Sequence, residues 1–155
     1  MLHTPHFLVG VAIATQIPDP AVATLAAVTS HFVLDAIPHA DYLDEPKITP
    51  ANVAIMVADG GLALTALVLL VPPEMIWYAF FIGVMANLPD FIEFPGFLWP
   101  KWRTLPIMKQ FSNWHTGILQ YKRELPFGKQ SWQHWFWGLL PQVILVTALI
   151  LLIST

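Results

Sequence analysis

The sequence predicts an all-α integral membrane protein, a bundle of about five helices with one amphipathic segment lying along the membrane surface. Three observations carry that prediction. Of 155 residues, 56% are hydrophobic and 11% charged, whereas soluble domains average about 25% charged. The apolar runs approach the length needed to cross a bilayer, and prolines interrupt them where helices must end. A soluble domain of this size buries only about 70% of its surface, so the apolar excess must face lipid. One domain over 1–155 is expected.

The apolar segments fall at about 5–17, 21–37, 51–71, 74–89 and 133–153. The first two are split by Ile17-Pro18-Asp19-Pro20, which no continuous helix tolerates. The third and fourth meet at Pro72-Pro73, giving a helical hairpin, and the last contains Pro141, where a kink is expected. Ala12-Ile13-Ala14 resembles a signal-peptide cleavage site, but no Lys or Arg precedes it and a second apolar segment follows at once, so no cleavage is expected.

Six of the seven basic residues, Lys101, Arg103, Lys109, Lys122, Arg123 and Lys129, lie between the fourth and fifth segments, and Lys47 lies between the second and third. Both loops therefore share one side, which the bias of basic residues makes cytoplasmic, together with the N-terminus. The expected location is the inner (cytoplasmic) membrane. Trp99, Trp102, Trp114, Trp132, Trp135 and Trp137 flank or fill the basic segment as an aromatic belt, and residues 101–130 are expected at the interface, with an amphipathic helix over 104–124.

Threading the chain back and forth brings most of its acidic and imidazole side chains to the cytoplasmic half. His6 opens the first segment, His31 and Asp35 close the second, and Asn87 and Asp90 close the fourth. Asp59 lies about 12 Å into the third at 1.5 Å per residue. A carboxylate at that depth costs about 2.5 to 3.5 kcal/mol on insertion scales, and no Lys or Arg lies in any span. Protonation, a metal or His31 must compensate.

His31 and Asp35 are four apart, so on a helix they offer a nitrogen and an oxygen to one ion. Asp59, Asp90 and His6 are the candidates to complete the shell from neighbouring helices, and His115 could fold back from the interfacial loop. Cysteine is absent, which excludes disulfides, thiolate sites and cysteine nucleophiles. A shell of His and Asp suits zinc and also accepts manganese or iron. With one coordination position open, bound zinc would supply hydroxide near neutral pH, and an unligated Asp59 or Asp90 could take the proton. Blander readings stand beside these: His39 and Asp41 as loop or supporting groups, His134 as a residue of the aromatic belt, and the basic loop as a topology signal in contact with lipid headgroups, with no nucleic-acid partner.

The pieces His3-Thr4-Pro5-His6 with Gly10, Ser30-His31-Phe32-Val33-Leu34-Asp35, Leu88-Pro89-Asp90 and Trp114-His115-Thr116-Gly117 resemble motifs of the membrane-bound metal-dependent hydrolases, a family that includes inner-membrane proteins described as LexA-binding. Here the Ser-His-x-x-x-Asp piece precedes Leu-Pro-Asp, and a single histidine stands in the Trp114 stretch. The resemblance implies a small multi-helix membrane protein with metal ligands at His6, His31, Asp35, Asp90 and His115. Three functions follow: a metal-dependent hydrolase acting on a lipid phosphoester or ester, which is preferred; a small ion- or proton-coupled transporter, which would favour polar residues continuing to the far leaflet; and a scaffold that binds metal for stability. The small residues Gly60, Gly61, Ala63 and Ala66 could pack helices within one chain or between copies.

Overall fold

The computed structural model describes residues 1–40, 48–120 and 131–154. Asp41, Lys47 and the 121–130 part of the interfacial segment lie outside the described residues. Within them every regular element is helical.

Helix α1 (His3–Gln16) ends at the Ile17-Pro18 break, and α2 (Pro20–Asp35) starts where Asp19 accepts hydrogen bonds from the amides of Ala21 and Val22, with Pro20 at the first helical position. Helix α3 (Pro50–Leu70) is set by a capping box between Thr49 and Asn52, again with proline at its start. Helix α8 (Trp132–Ile153) begins where the Ser131 hydroxyl accepts from the His134 amide, and it continues through Pro141.

The region between α3 and α8 is a staircase of short helices, each opened at or beside a proline. A 3₁₀ turn Pro73–Met75 leads into α4 (Ile76–Ala86). Then follow α5 (Leu88–Glu93) from Pro89, α6 (Pro95–Leu98) from Pro95, a second 3₁₀ turn Pro100–Thr104 from Pro100, and α7 (Pro106–Trp114) from Pro106. Proline fits a first helical turn because its missing N–H has no intrahelical partner there, and it blocks the turn before it. The sequence reading ended the fourth segment at 89; the chain instead stops α4 at Ala86 and bends by 58° into α5 and α6. The expected 104–124 helix is likewise divided: α7 ends at Trp114 and passes into a π-helical stretch, His115–Gln120.

Helices α3 and α8 are long and apolar enough to cross a membrane, and the bent α4 to α6 run makes a third if it is one broken span. At 14 and 16 residues, α1 and α2 reach only about 21 and 24 Å, short of a hydrocarbon core of about 30 Å. The outer faces are apolar: Leu69 is 76% exposed, Trp77 80% and Leu151 63%. A surface so rich in large exposed side chains belongs in lipid.

Helix α1 is the centre of the bundle and packs against α2, α3, α4 and α8. Its crossing with α4 is close because Gly10 has no side chain; a Cβ there would lie 2.6 Å from the Ile82 carbonyl oxygen. Gly138 does the same for α8, where a Cβ would lie 2.4 Å from the Ala40 nitrogen. Beside it, Gln142 accepts from the Leu2 amide and donates to the Ala40 and Gly138 carbonyls, so α8 holds both the start of the chain and the segment after α2.

Candidate metal centre

Four side chains from three parts of the chain converge at one end of the bundle. His31 and Asp35 come from the last two turns of α2. Asp90 comes from the first turn of α5, which the bend at Asn87 turns back toward α2. His115 is the first residue of the π-helical stretch, a form often found at functional sites. One ligand atom from each lies within 4.8 Å of all the others. His31 Nε2 is 3.1 Å from Asp35 Oδ2, 3.4 Å from Asp90 Oδ1 and 3.2 Å from His115 Nε2, and His115 Nε2 is 3.0 Å from Asp35 Oδ2. A tetrahedral ion with bonds of about 2.0 to 2.1 Å requires ligand separations of about 3.3 to 3.4 Å, so these atoms already stand close to a coordination shell.

The outer nitrogens of the two imidazoles show how the group could take up a proton or a cation. His31 Nδ1 donates to the Ala86 carbonyl at 2.8 Å, one of the carbonyls left without an intrahelical partner where α4 ends. His115 Nδ1 faces Glu93 Oε1 at 3.3 Å. With the proton of each neutral ring on Nδ1, both Nε2 atoms turn lone pairs toward two carboxylate oxygens. Four acceptors then face one another, and only a proton or a metal ion can hold them together. Two carboxylate oxygens within 4.8 Å of each other repel by about 3 kcal/mol or more at an effective dielectric of 20, which a dication would offset. The pull on positive charge shows at His115: burial opposes its protonation, yet the carboxylates of Asp35 and Glu93 push its pKa up to about 9. This buried His31, Asp35, Asp90 and His115 group could bind a metal ion.

His6 belongs to the next layer. Its ring stacks on His31 with centroids 4.1 Å apart, and its Nε2 lies 3.2 Å from Asp35 Oδ1, on the far side of the carboxylate from His31 and His115. The same Oδ1 accepts from the Met1 amine at 3.1 Å, and that amine lies 2.6 Å from His39 Nε2. Asp35 thus serves two imidazoles through one oxygen and supporting groups through the other.

Asp59 does not join the group. Its Oδ2 accepts from the His3 amide at 2.7 Å and its carboxylate from the Thr4 amide, while Thr4 Oγ1 donates to the Asp59 carbonyl at 2.7 Å. The carboxylate is a cap supplied to α1 by another helix, and backbone amides compensate it where the sequence reading invoked protonation, metal or His31. Replacing Asp59 with Ala is expected to leave those buried donors unsatisfied and cost about 1 to 3 kcal/mol, read as a lower unfolding temperature in detergent with metal content unchanged. Loss of metal at unchanged stability would instead place Asp59 in the site.

His134, expected in the aromatic belt, is 4% exposed, while Trp132 beside it is 71% exposed. His3 sits at the rim, its Nδ1 3.2 Å from Asn87 Oδ1 and 3.8 Å from Asp90 Oδ2. The residue that sequence reasoning missed is Glu93, buried beside His115 and accepting from Thr116 Oγ1 at 2.6 Å. Its signal was the Asp90-x-x-Glu93 spacing, which sets two carboxylates on one helical face.

Comparison of the chain with known protein families, with curated proteins and with solved structures gives no match.

Proposed function

We propose that the chain is a membrane-embedded metal-dependent hydrolase, with one divalent cation held by His31, Asp35 and His115 and with Asp90 at its accessible side. The observation that carries this reading is the set of four facing acceptor atoms 3.0 to 3.4 Å apart in the contacts they make. His31, Asp35 and His115 have side chains at most 1% exposed, whereas Asp90 is 21% exposed. A reactant reaches the centre past Asp90, which takes the proton from the attacking water. Zinc fits a shell of two imidazoles and one carboxylate with the fourth position open, with manganese and iron as competitors, and such an ion would supply hydroxide near neutral pH. The resemblance of the four motifs to the membrane-bound metal-dependent hydrolases supports the same reading.

The five apolar segments form one integral bundle in this account, with α1 carried inside it. Lys101, Arg103 and Lys109 lie between Asp90 and His115, and the bias of basic residues supports a place for this end of the bundle on the cytoplasmic side of the inner membrane. Exposed Ile107, Trp114 and Trp99 alongside these cations suit a segment seated among headgroups. A substrate reaching this depth is an amphiphile, a lipid phosphoester or ester.

A scaffold with a structural metal is the second reading, favoured by the number of protein ligands: four fill a tetrahedron and leave no open position. Zinc-loaded protein assayed in mixed micelles against phosphoester and carboxylester lipids separates the two. Metal-dependent turnover that falls about 10² to 10⁴-fold in Asp90→Asn, with the metal retained, supports the hydrolase. A full complement of metal without turnover on any lipid supports the scaffold.

A further inference from the structure

We propose that Glu93 is a positioning residue for the metal centre: its carboxylate fixes the His115 ring so that Nε2 is the ligand, and it anchors the surface turn that delivers that ring. The proposal rests on the metal reading above. His115 is the one member of the group that comes from outside the apolar helices. Helix α7 packs on its neighbours along the staircase, and the π-helical stretch reaches the bundle at α2. A ligand at the end of such a segment needs a second hold, and Glu93 supplies it from α5 with both oxygens. Oε1 faces His115 Nδ1 at 3.3 Å, and Oε2 accepts from the hydroxyl of Thr116, the next residue, at 2.6 Å.

The location of the carboxylate argues against an incidental contact. Glu93 is 9% exposed within a run of Phe91, Ile92, Phe94 and Phe97, and a buried carboxylate is costly unless something uses it. A carboxylate behind a ligating imidazole fixes the tautomer, orients the ring and raises the basicity of the metal-bound nitrogen. On α5, Asp90 then stands at the accessible side of the centre, and Glu93, three residues on, contributes through His115.

The test uses full-length protein in detergent loaded with Co2+, whose visible spectrum reports ligand geometry, and metal affinity measured by chelator competition. Glu93→Gln is expected to weaken Co2+ binding about 10 to 100-fold and to shift the spectrum. Thr116→Val, which removes the anchoring hydroxyl and leaves Glu93 behind Nδ1, is expected to weaken Co2+ binding by less than Glu93→Gln does and to leave the spectrum unchanged. In the zinc-loaded wild-type protein, nitrogen NMR of labelled histidine should show His115 protonated at Nδ1 and metal-bound at Nε2, a readout independent of how the variant folds. Glu93→Gln with affinity within about twofold of wild type and an unshifted spectrum overturns the proposal, as does the opposite tautomer. Wild-type protein that binds no Co2+ and no zinc removes the metal reading itself, a separate failure.

Discussion

Replacing Asp35 with Ala is expected to abolish metal binding and to destabilise the bundle more than any other single change in the site. The side chain is fully buried, and its two oxygens meet His31 and His115 on one side and His6 and the Met1 amine on the other. Removing one partner from a buried ionic cluster costs about 3 to 5 kcal/mol, because the remaining charges keep their desolvation penalty without their compensation. A lost metal adds the free energy of its binding, which is folding free energy when the site exists only in the folded state. The expected result is metal content below a tenth of wild type and an unfolding temperature that no longer responds to added zinc. Asp35→Asn, which keeps the shape and loses the charge, should share the metal defect and recover part of the stability. A variant that still takes up a full equivalent of metal would remove Asp35 from the shell.

The second large effect is expected from the metal itself. In the proposed centre, His115 would tie the 106–120 segment to the bundle through an ion whose other ligands sit on α2, with Asp90 of α5 beside it. Chelation should therefore free that segment while leaving the packed helices intact. Hydrogen exchange with and without a chelator should show protection falling by 10-fold or more over 106–120, with α1 and α4 unchanged, since local opening free energies differ between a surface turn and a packed core. Equal loss of protection across the whole chain would make the metal a global stabiliser; no loss anywhere would mean that the turn is held without it, by Glu93 and by the Phe32 ring packed on Trp114 and His115.

Much of the architecture was legible in the sequence because it rests on local signals. The Ile17-Pro18-Asp19-Pro20 and Pro72-Pro73 breaks mark where the chain turns, and the apolar runs set the bounds of α1, α2, α3 and α8 to within about two residues. The α4 to α7 staircase was not legible as such: Pro89 was read as a terminus, whereas each proline in that region closes one helix and opens the next. The candidate site divides in the same way. His31 and Asp35 were visible as an i, i+4 pair on one helix, and threading brought Asp90 to the same end. The parts of Asp59 and His6 depend on which oxygen or amide faces them across a helix crossing. Depth along a span places a carboxylate in a layer of the bundle; it does not say that backbone amides at the start of α1 will be its partners.

The central claim is that His31, Asp35 and His115, with Asp90 at the accessible side, hold a divalent ion. Elemental analysis of protein purified without added chelator, beside His31→Ala and His115→Ala, tests it most directly. The prediction is about one equivalent of a single transition metal per chain in the wild type and a loss of at least tenfold in each variant. Wild-type protein that carries no such metal and takes none up from micromolar zinc, manganese or iron would contradict it.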